Sequence, residues 1–399
     1  MILTEEQKKI LNGEYGKGKA MAMQVLVGMA KCFDAPRLVP ISKAHISMSA
    51  QEGDTWFATK LWKAGATCAV TPTVNPGYSL DYFKGKISDE AVDNMQRTKQ
   101  AYEGLGARMT YCCTPYLADN IPQYHEIISF SETNATIYAN AVQGAYTNRE
   151  SSASALCAAV TGYVPEYGML LEENRYATVA VDVRAKLRSD FDYSVLGLLG
   201  KKIGGGVPVF YGLPEKISTE ALIGLGTVLN VSSNYDTFHI PNVTAEMVHE
   251  HNKYAERVQR EVIVTQDDLD AALEAFSPAD EKEISYGVFG CPHYTYDQVA
   301  EMLRLFDGKP SRVPVYVLTS GRVVLQARKN GVEEQLKALG VDLIPDTCVD
   351  EYYCWGHLAD RFGVSDSLKG YYYMQVSGLH MAVRDTKTCV RALQEGVVR

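Results

Sequence analysis

Two periods of apolar residues alternate along the chain. Short apolar runs bounded by Gly, Pro, Asp or Asn read as strands: TCAVTPT, RMTYCC, EIISFSE, YATVAVDV, VPVFYGL, DTFHIP, SYGVFG, VPVYVLTS, VDLIPD and GYYYMQV. Between them, apolar positions three and four apart predict helices over 2–33 (broken at 13–18), 55–63, 90–104, 135–142, 154–161, 219–229, 245–258, 296–305 and 321–339. A capped helix starting at Asp385 closes the chain, and the first helix opens on Thr4 with Gln7 three residues on, a capping box. Strand and helix alternate almost throughout, the pattern of an α/β protein with largely parallel sheets. The acidic stretch TQDDLDAALEAFSPADEKE interrupts it. It reads as a helical connector over 263–283, between an N-terminal α/β lobe at 1–262, with room for two subdomains, and a C-terminal α/β domain at 284–399.

Composition narrows the class. A chain of 399 residues exceeds what one ordinary core supports, and 46% hydrophobic against 22% charged residues marks a folded protein. The net charge of −9 argues against nucleic acid, which needs a basic face. The N-terminus shows no charged-then-apolar leader, and no apolar run approaches the ~18 residues of a membrane span, so a cytoplasmic protein is expected. Nine cysteines at irregular spacing then predict reduced thiols.

In parallel α/β sheets, ligands gather at the carboxyl ends of the strands. Three cysteines stand where predicted strands run out: Cys113 in RMTYCCTPY, Cys291 in YGVFGCPHY and Cys348 in DLIPDTCVD. Thiolates select soft metals and iron–sulfur clusters, which makes these three candidate ligands. Of the pair Cys112 and Cys113 only one can face the site, because successive strand residues point to opposite faces; Cys113, beside Thr114 and Pro115, is the choice. Right-handed crossovers place Cys291, Thr319, Ser320 and Cys348 on one rim. Cys32, Cys68, Cys157 and Cys389 lie in apolar or helical runs and read as small buried hydrophobes.

Other motifs carry less. GAYTNRES offers Asn148 and Arg149; a guanidinium fork suits a carboxylate or phosphate, against the plainer reading of a surface arginine capping a turn. His293 follows Cys291 by two residues and is either a general acid, an orienting donor or an ordinary loop residue. His249 and His251 are two apart on a predicted helix, share no face and read as solvated surface. The triple glycine at 204–206 follows a helix and precedes a strand, the reverse of a phosphate loop, and reads as a helix C-cap.

With these loops laid out, the chain resembles the aconitase X family in its large, catalytic subunit. The matching pieces are ILNGEYG, KAHIS, AGATCAVTPTVNPG, CTPYLADNIP, SFSETNATIYANAVQGAYTNRES, TGYVPEYGMLLEENR, FGCPH and DTC, in order over nearly the whole chain. The resemblance implies a multi-domain, aconitase-like fold with its cleft at the strand C-terminal ends. It implies a hydro-lyase that removes water from a small hydroxy acid, cis-3-hydroxy-L-proline first and mevalonate 5-phosphate as the alternative. Iron held by Cys113, Cys291 and Cys348, as a four-iron or two-iron cluster or a mononuclear centre, would act as Lewis acid on the departing hydroxyl. Arg149 with Asn148 would hold a substrate carboxylate, and Thr73, Asn75, Ser320 and His293 would line the pocket. A separate small subunit would bring the swivelling domain and its serine base, so the chain alone is expected to be inactive. A phosphorylated substrate would need further cations, for which Lys43, Lys60 and Arg322 are candidates. Three stretches depart from the family pattern: SAQEGD near the start, VDEYYCWGHL after Cys348, and MQVSGLHMA where a TNSGK-like stretch is usual. Those departures leave room for a non-catalytic iron or redox sensor, although a sensor has no use for a carboxylate-binding arginine.

Overall fold

Three parallel sheets follow one another along the chain in this computed structural model, which describes residues 1–48, 52–278 and 280–399. In the first, Lys43–Ile46 lies between Thr73–Val74 and Ile128–Phe130. Helices Lys17–Cys32, Glu52–Lys63 and Ser152–Thr161 pack together there, burying Met23, Leu26, Leu61, Leu156 and Val160 in one core. In the second, Val179–Val183 lies between Pro208–Tyr211 and Arg260–Val264. Helices Asp190–Leu198 and Thr219–Ser233 pack so closely there that a Cβ on Gly197 would come within 2.7 Å of the Val228 Cβ. The segment 263–283, expected as a connector, begins inside Arg260–Val264 and continues as helix Gln266–Glu274 against Asp190–Leu198.

The third sheet has five parallel strands in the order Val341–Pro345, Val315–Thr319, Tyr286–Tyr294, Phe362–Ser365, His380–Val383. The chain winds outward in one direction for three strands and in the other for two. The reversal falls between Tyr286–Tyr294 and Phe362–Ser365, and such a switch point opens a crevice at the strand carboxyl ends. Among the described residues no helix is long and apolar enough to cross a membrane.

The expected α/β class with largely parallel sheets is therefore found, but several elements differ. GYYYMQV is not a strand: it lies in helix Leu368–Val376, started by Ser367, whose hydroxyl accepts from the Gly370 N–H. The strand of that region is Phe362–Ser365. RMTYCC makes only an isolated bridge, Thr73 with Arg108, before Tyr111 turns the chain at φ 46°. DTFHIP likewise makes one bridge, His239 with Val209. The helix expected over 321–339 breaks into Gly321–Lys329 and Val332–Ala338 at Gly331, which sits at φ 71°. Cys291 and His293 lie within strand Tyr286–Tyr294 rather than in a loop after it, across a register shift between Phe289 and Tyr294. The departure noted at SAQEGD falls partly outside the described residues.

Candidate active site

The carboxyl ends of the first and third sheets meet. Thr347 bridges Gly77, the Cys348 N–H donates to the Gly77 carbonyl at 2.8 Å, and the Ser79 N–H donates to Thr347 Oγ1 at 3.1 Å. Cys348 is thereby pinned from the first lobe. Cys113 arrives on the segment after helix Asp89–Gly104 that runs beside Thr73–Val74, where the Cys112 N–H donates to the Val74 carbonyl at 3.1 Å, and its Sγ accepts from the His293 N–H at 3.2 Å. Cys112 turns the other way, its Sγ 3.3 Å from Thr114 Oγ1. Burial pushes the Cys291 thiol up to about 12 and raises Cys113 and Cys348 well above the ordinary thiol value. The charge of Cys291 adds to the rise at Cys348, while the Lys369 ammonium opposes the rise at both Cys113 and Cys291.

Behind these thiols runs a buried polar network. His45, from the middle strand of the first sheet, bonds Thr73 Oγ1 through Nδ1 and Asn75 Oδ1 through Nε2, each at 2.8 Å. Asn75 Nδ2 donates to Glu132 Oε2 at 2.5 Å, Asn134 Nδ2 donates to Glu132 Oε1 at 2.8 Å, and the Lys369 ammonium closes an ion pair on the same Glu132 oxygen. Burial pushes the Glu132 carboxyl up, but Lys369 and the two amide donors outweigh it and hold it at about 2. Asn134 also donates to the Cys113 carbonyl at 3.1 Å, which fastens the network to the thiol loop.

Two cavities open beside the network, and Lys369 lines the first of them. One, of about 580 Å³, lies in the switch-point crevice against the second sheet's helices and is lined by Cys291, His293, Ser367, Lys369, Asp366 and Glu220. His293 is buried, and its Nε2 lies 2.9 Å from the Thr347 carbonyl. A carbonyl only accepts, so Nε2 carries the proton; burial lowers the ring's pKa to about 4, leaving it neutral with a free lone pair on Nδ1. That Nδ1 has no hydrogen-bond partner among the described residues. The second cavity, of about 340 Å³, is lined by Arg149, Thr133, Asn230, Ser232, Ser233 and Tyr373, with no carboxylate among its lining residues. Arg149 Nη1 donates to Asn230 Oδ1 at 2.7 Å and Nη2 to Asn234 Oδ1, which orients the guanidinium.

The sequence candidates thus fall into groups. Cys113, Cys291, Cys348 and His293 cluster at the meeting edges, and Thr73 and Asn75 stand in the network behind them. Arg149 occupies the neighbouring cavity. Asn148 faces away: its amide clamps the 167–169 turn, donating to the Tyr167 carbonyl at 3.0 Å and accepting from the Met169 N–H at 2.8 Å. Ser320 shares the rim but serves as helix cap, its Oγ accepting from the Val323 N–H. Lys43 is paired with Glu126, Lys60 lies exposed over Trp56, and Arg322 is exposed near Cys112. Sequence reasoning assigned no role to His45, Glu132, Asn134 or Lys369. The first three stood inside the quoted motifs KAHIS and SFSETN. Lys369 stands in SDSLK, which begins on the last residue of strand Phe362–Ser365, whereas the TNSGK-like stretch was sought nine residues later, at MQVSGLHMA.

Fold and site together define an aconitase-type α/β protein with thiols at a shared sheet edge, and the chain belongs to the aconitase X family. Family profiles described as Aconitase X first, second and third domain match residues 1–173, 177–274 and 284–395. It is 35% identical to the phosphomevalonate dehydratase large subunit of Thermococcus kodakarensis, over 98% of this chain and 99% of that one. It is 32% identical to the cis-3-hydroxy-L-proline dehydratase of Pseudomonas aeruginosa, over 85% of this chain but 60% of that one. The crystal structure of Thermococcus kodakaraensis aconitase X in its holo form superposes with a TM-score of 0.90 at 32% identity, covering 98% of this chain and all of that one.

Proposed function

We propose that this chain is the large subunit of a hydro-lyase that eliminates water from a small phosphorylated hydroxy acid, mevalonate 5-phosphate, together with a separate small subunit. Coverage carries this reading. The chain matches 99% of a relative named as a phosphomevalonate dehydratase large subunit, but only 60% of the cis-3-hydroxy-L-proline dehydratases. The order of substrates expected from sequence is therefore reversed. The carboxylate-free cavity at Arg149 supports an anionic group on the substrate, since a guanidinium held by two amides presents its remaining donors in a fixed fork.

Cys113, Cys291 and Cys348 would hold an iron–sulfur cluster. The donor set suits it: soft thiols, one of them accepting a backbone N–H, with a buried ammonium bearing on two. Among the described residues no three His, Cys, Asp or Glu side chains already stand together as ligands of a single metal ion. When bound, such a cluster supplies a Lewis acid for the departing hydroxyl. The chain's own residues do the positioning. Arg149 anchors an anionic end, and the neutral His293, its Nε2–H held by the Thr347 carbonyl, lines the crevice beside Cys291.

The test is anaerobic purification with the small subunit, iron and acid-labile sulfide analysis, and assay of mevalonate 5-phosphate and cis-3-hydroxy-L-proline side by side. Expected are stoichiometric iron and sulfide in the wild type, their loss in Cys291→Ser, and turnover of the phosphorylated acid. Turnover of hydroxyproline alone would overturn the substrate, and binding without elimination would favour the sensor.

A further inference from the structure

Lys369 pairs with Glu132 in nearly dry surroundings, the two side chains being 7% and 9% exposed. The pair bridges the two sheets that deliver the thiols, for Glu132 follows strand Ile128–Phe130 and Lys369 opens helix Leu368–Val376. Both partners are tied to thiol-bearing backbone. On the lysine side, the Ser367 hydroxyl donates to the Cys291 carbonyl, and a Cβ on Gly370 would stand 3.4 Å from the Cys291 Cβ. On the glutamate side, Asn134 reaches both Glu132 and the Cys113 carbonyl.

A thiol must lose its proton to ligate, and burying several thiolates together is costly without a compensating charge. Asn75 and Asn134 both donate to Glu132, while the Lys369 side chain lines the same crevice as Cys291 and its charge opposes the rise of the Cys113 and Cys291 thiols. We infer that Lys369, anchored by Glu132, is a positioning residue that compensates the thiolate charge of Cys113 and Cys291 and so governs how firmly the group they hold is retained and at what potential. This rests on the reading of those cysteines as ligands. A pair that served only to staple the lobes would leave the potential untouched, because its two charges would matter through stability alone.

The experiment follows iron release to a chelator and the midpoint potential in the anaerobically reconstituted full chain. Lys369→Met is expected to release iron about tenfold faster, the usual cost of losing a group that supports metal ligands. Its potential should shift negative, since a lost cation disfavours the reduced state, whereas Glu132→Gln should shift it positive. Lys369→Arg should stay near the wild type. If either single variant fails to fold, the double variant Lys369→Met with Glu132→Gln leaves no unpaired buried charge; it should still release iron faster than the wild type. Wild-type release and potential in Lys369→Met, or wild-type release in the double variant, would overturn the inference alone. A wild-type chain that takes up neither iron nor sulfide would overturn the ligand reading and this inference with it.

Discussion

Glu150 closes the TNRE motif next to Arg149, yet it is buried and belongs to a different economy of charge. Burial pushes its carboxyl up to about 7, with a hydrogen bond from Ser154 opposing the rise. Between the unfolded value near 4.5 and that folded value, the native chain binds a proton that the unfolded chain does not, so this residue stabilises the fold at low pH and stops doing so as pH rises through 7. Glu150→Gln removes the titration. Relative to the variant, the wild type should lose about 2 kcal/mol of stability between pH 5.5 and pH 8. Urea midpoints of both proteins at the two pH values check this, and parallel curves would refute it. The buried histidines act with the opposite sign. His45, His239 and His293 are each held near 4 by burial, so they stay neutral in the fold and withdraw stability as pH falls from about 6.5 towards that value.

At the scale of elements, the strand Tyr286–Tyr294 decides where Cys291 and His293 point. Gly290 sits at φ 91°, and a Cβ there would lie 2.0 Å from the Leu318 carbonyl oxygen of the neighbouring strand. The backbone must therefore shift to accept any side chain, and Gly290→Ala should cost on the order of 3 kcal/mol through strain and overpacking. A thermal midpoint within a degree or two of the wild type would show that the strand yields more easily. Strands such as YATVAVDV and VPVYVLTS were legible in the sequence because their residues are β-branched and bounded by clear breaks, and Thr4 with Gln7 announced the first helix. GYYYMQV was not legible. Aromatic residues favour strands, but here the Ser367 cap and packing against the third sheet decide for helix, a tertiary override of local preference. The error had a consequence at the site: it hid Lys369 at the true strand end, and with it the lysine that completes the Glu132 network. Cys113 stands at the end of an extended segment that makes only an isolated bridge, so its place at the sheet edge does not depend on a full ladder.

Across the whole molecule, the site exists only where two sheets from distant parts of the chain are held edge to edge, and Thr347 is the hub of that contact. Its hydroxyl donates to the Pro345 carbonyl at 2.8 Å and accepts from the Ser79 N–H, while its carbonyl accepts from His293. One fully buried residue thus links the loop that pins Cys348, the first lobe and the imidazole in the crevice. No sequence pattern foretells this, since Gly77 and Thr347 lie far apart in the chain and both sit in short, polar loops. Thr347→Val keeps the shape and deletes both hydroxyl bonds, leaving a carbonyl and an N–H without their partner at about 1–3 kcal/mol. The urea midpoint should fall accordingly. Because Cys348 is registered through the same bridge, reconstituted iron should also be bound less firmly. Thr347→Ser, which keeps the hydroxyl, should restore iron retention even if the lost methyl leaves the midpoint slightly low. A valine variant with lowered stability but wild-type iron retention would mean that Cys348 takes its place from the third sheet alone, and that the lobes meet at the site without shaping it.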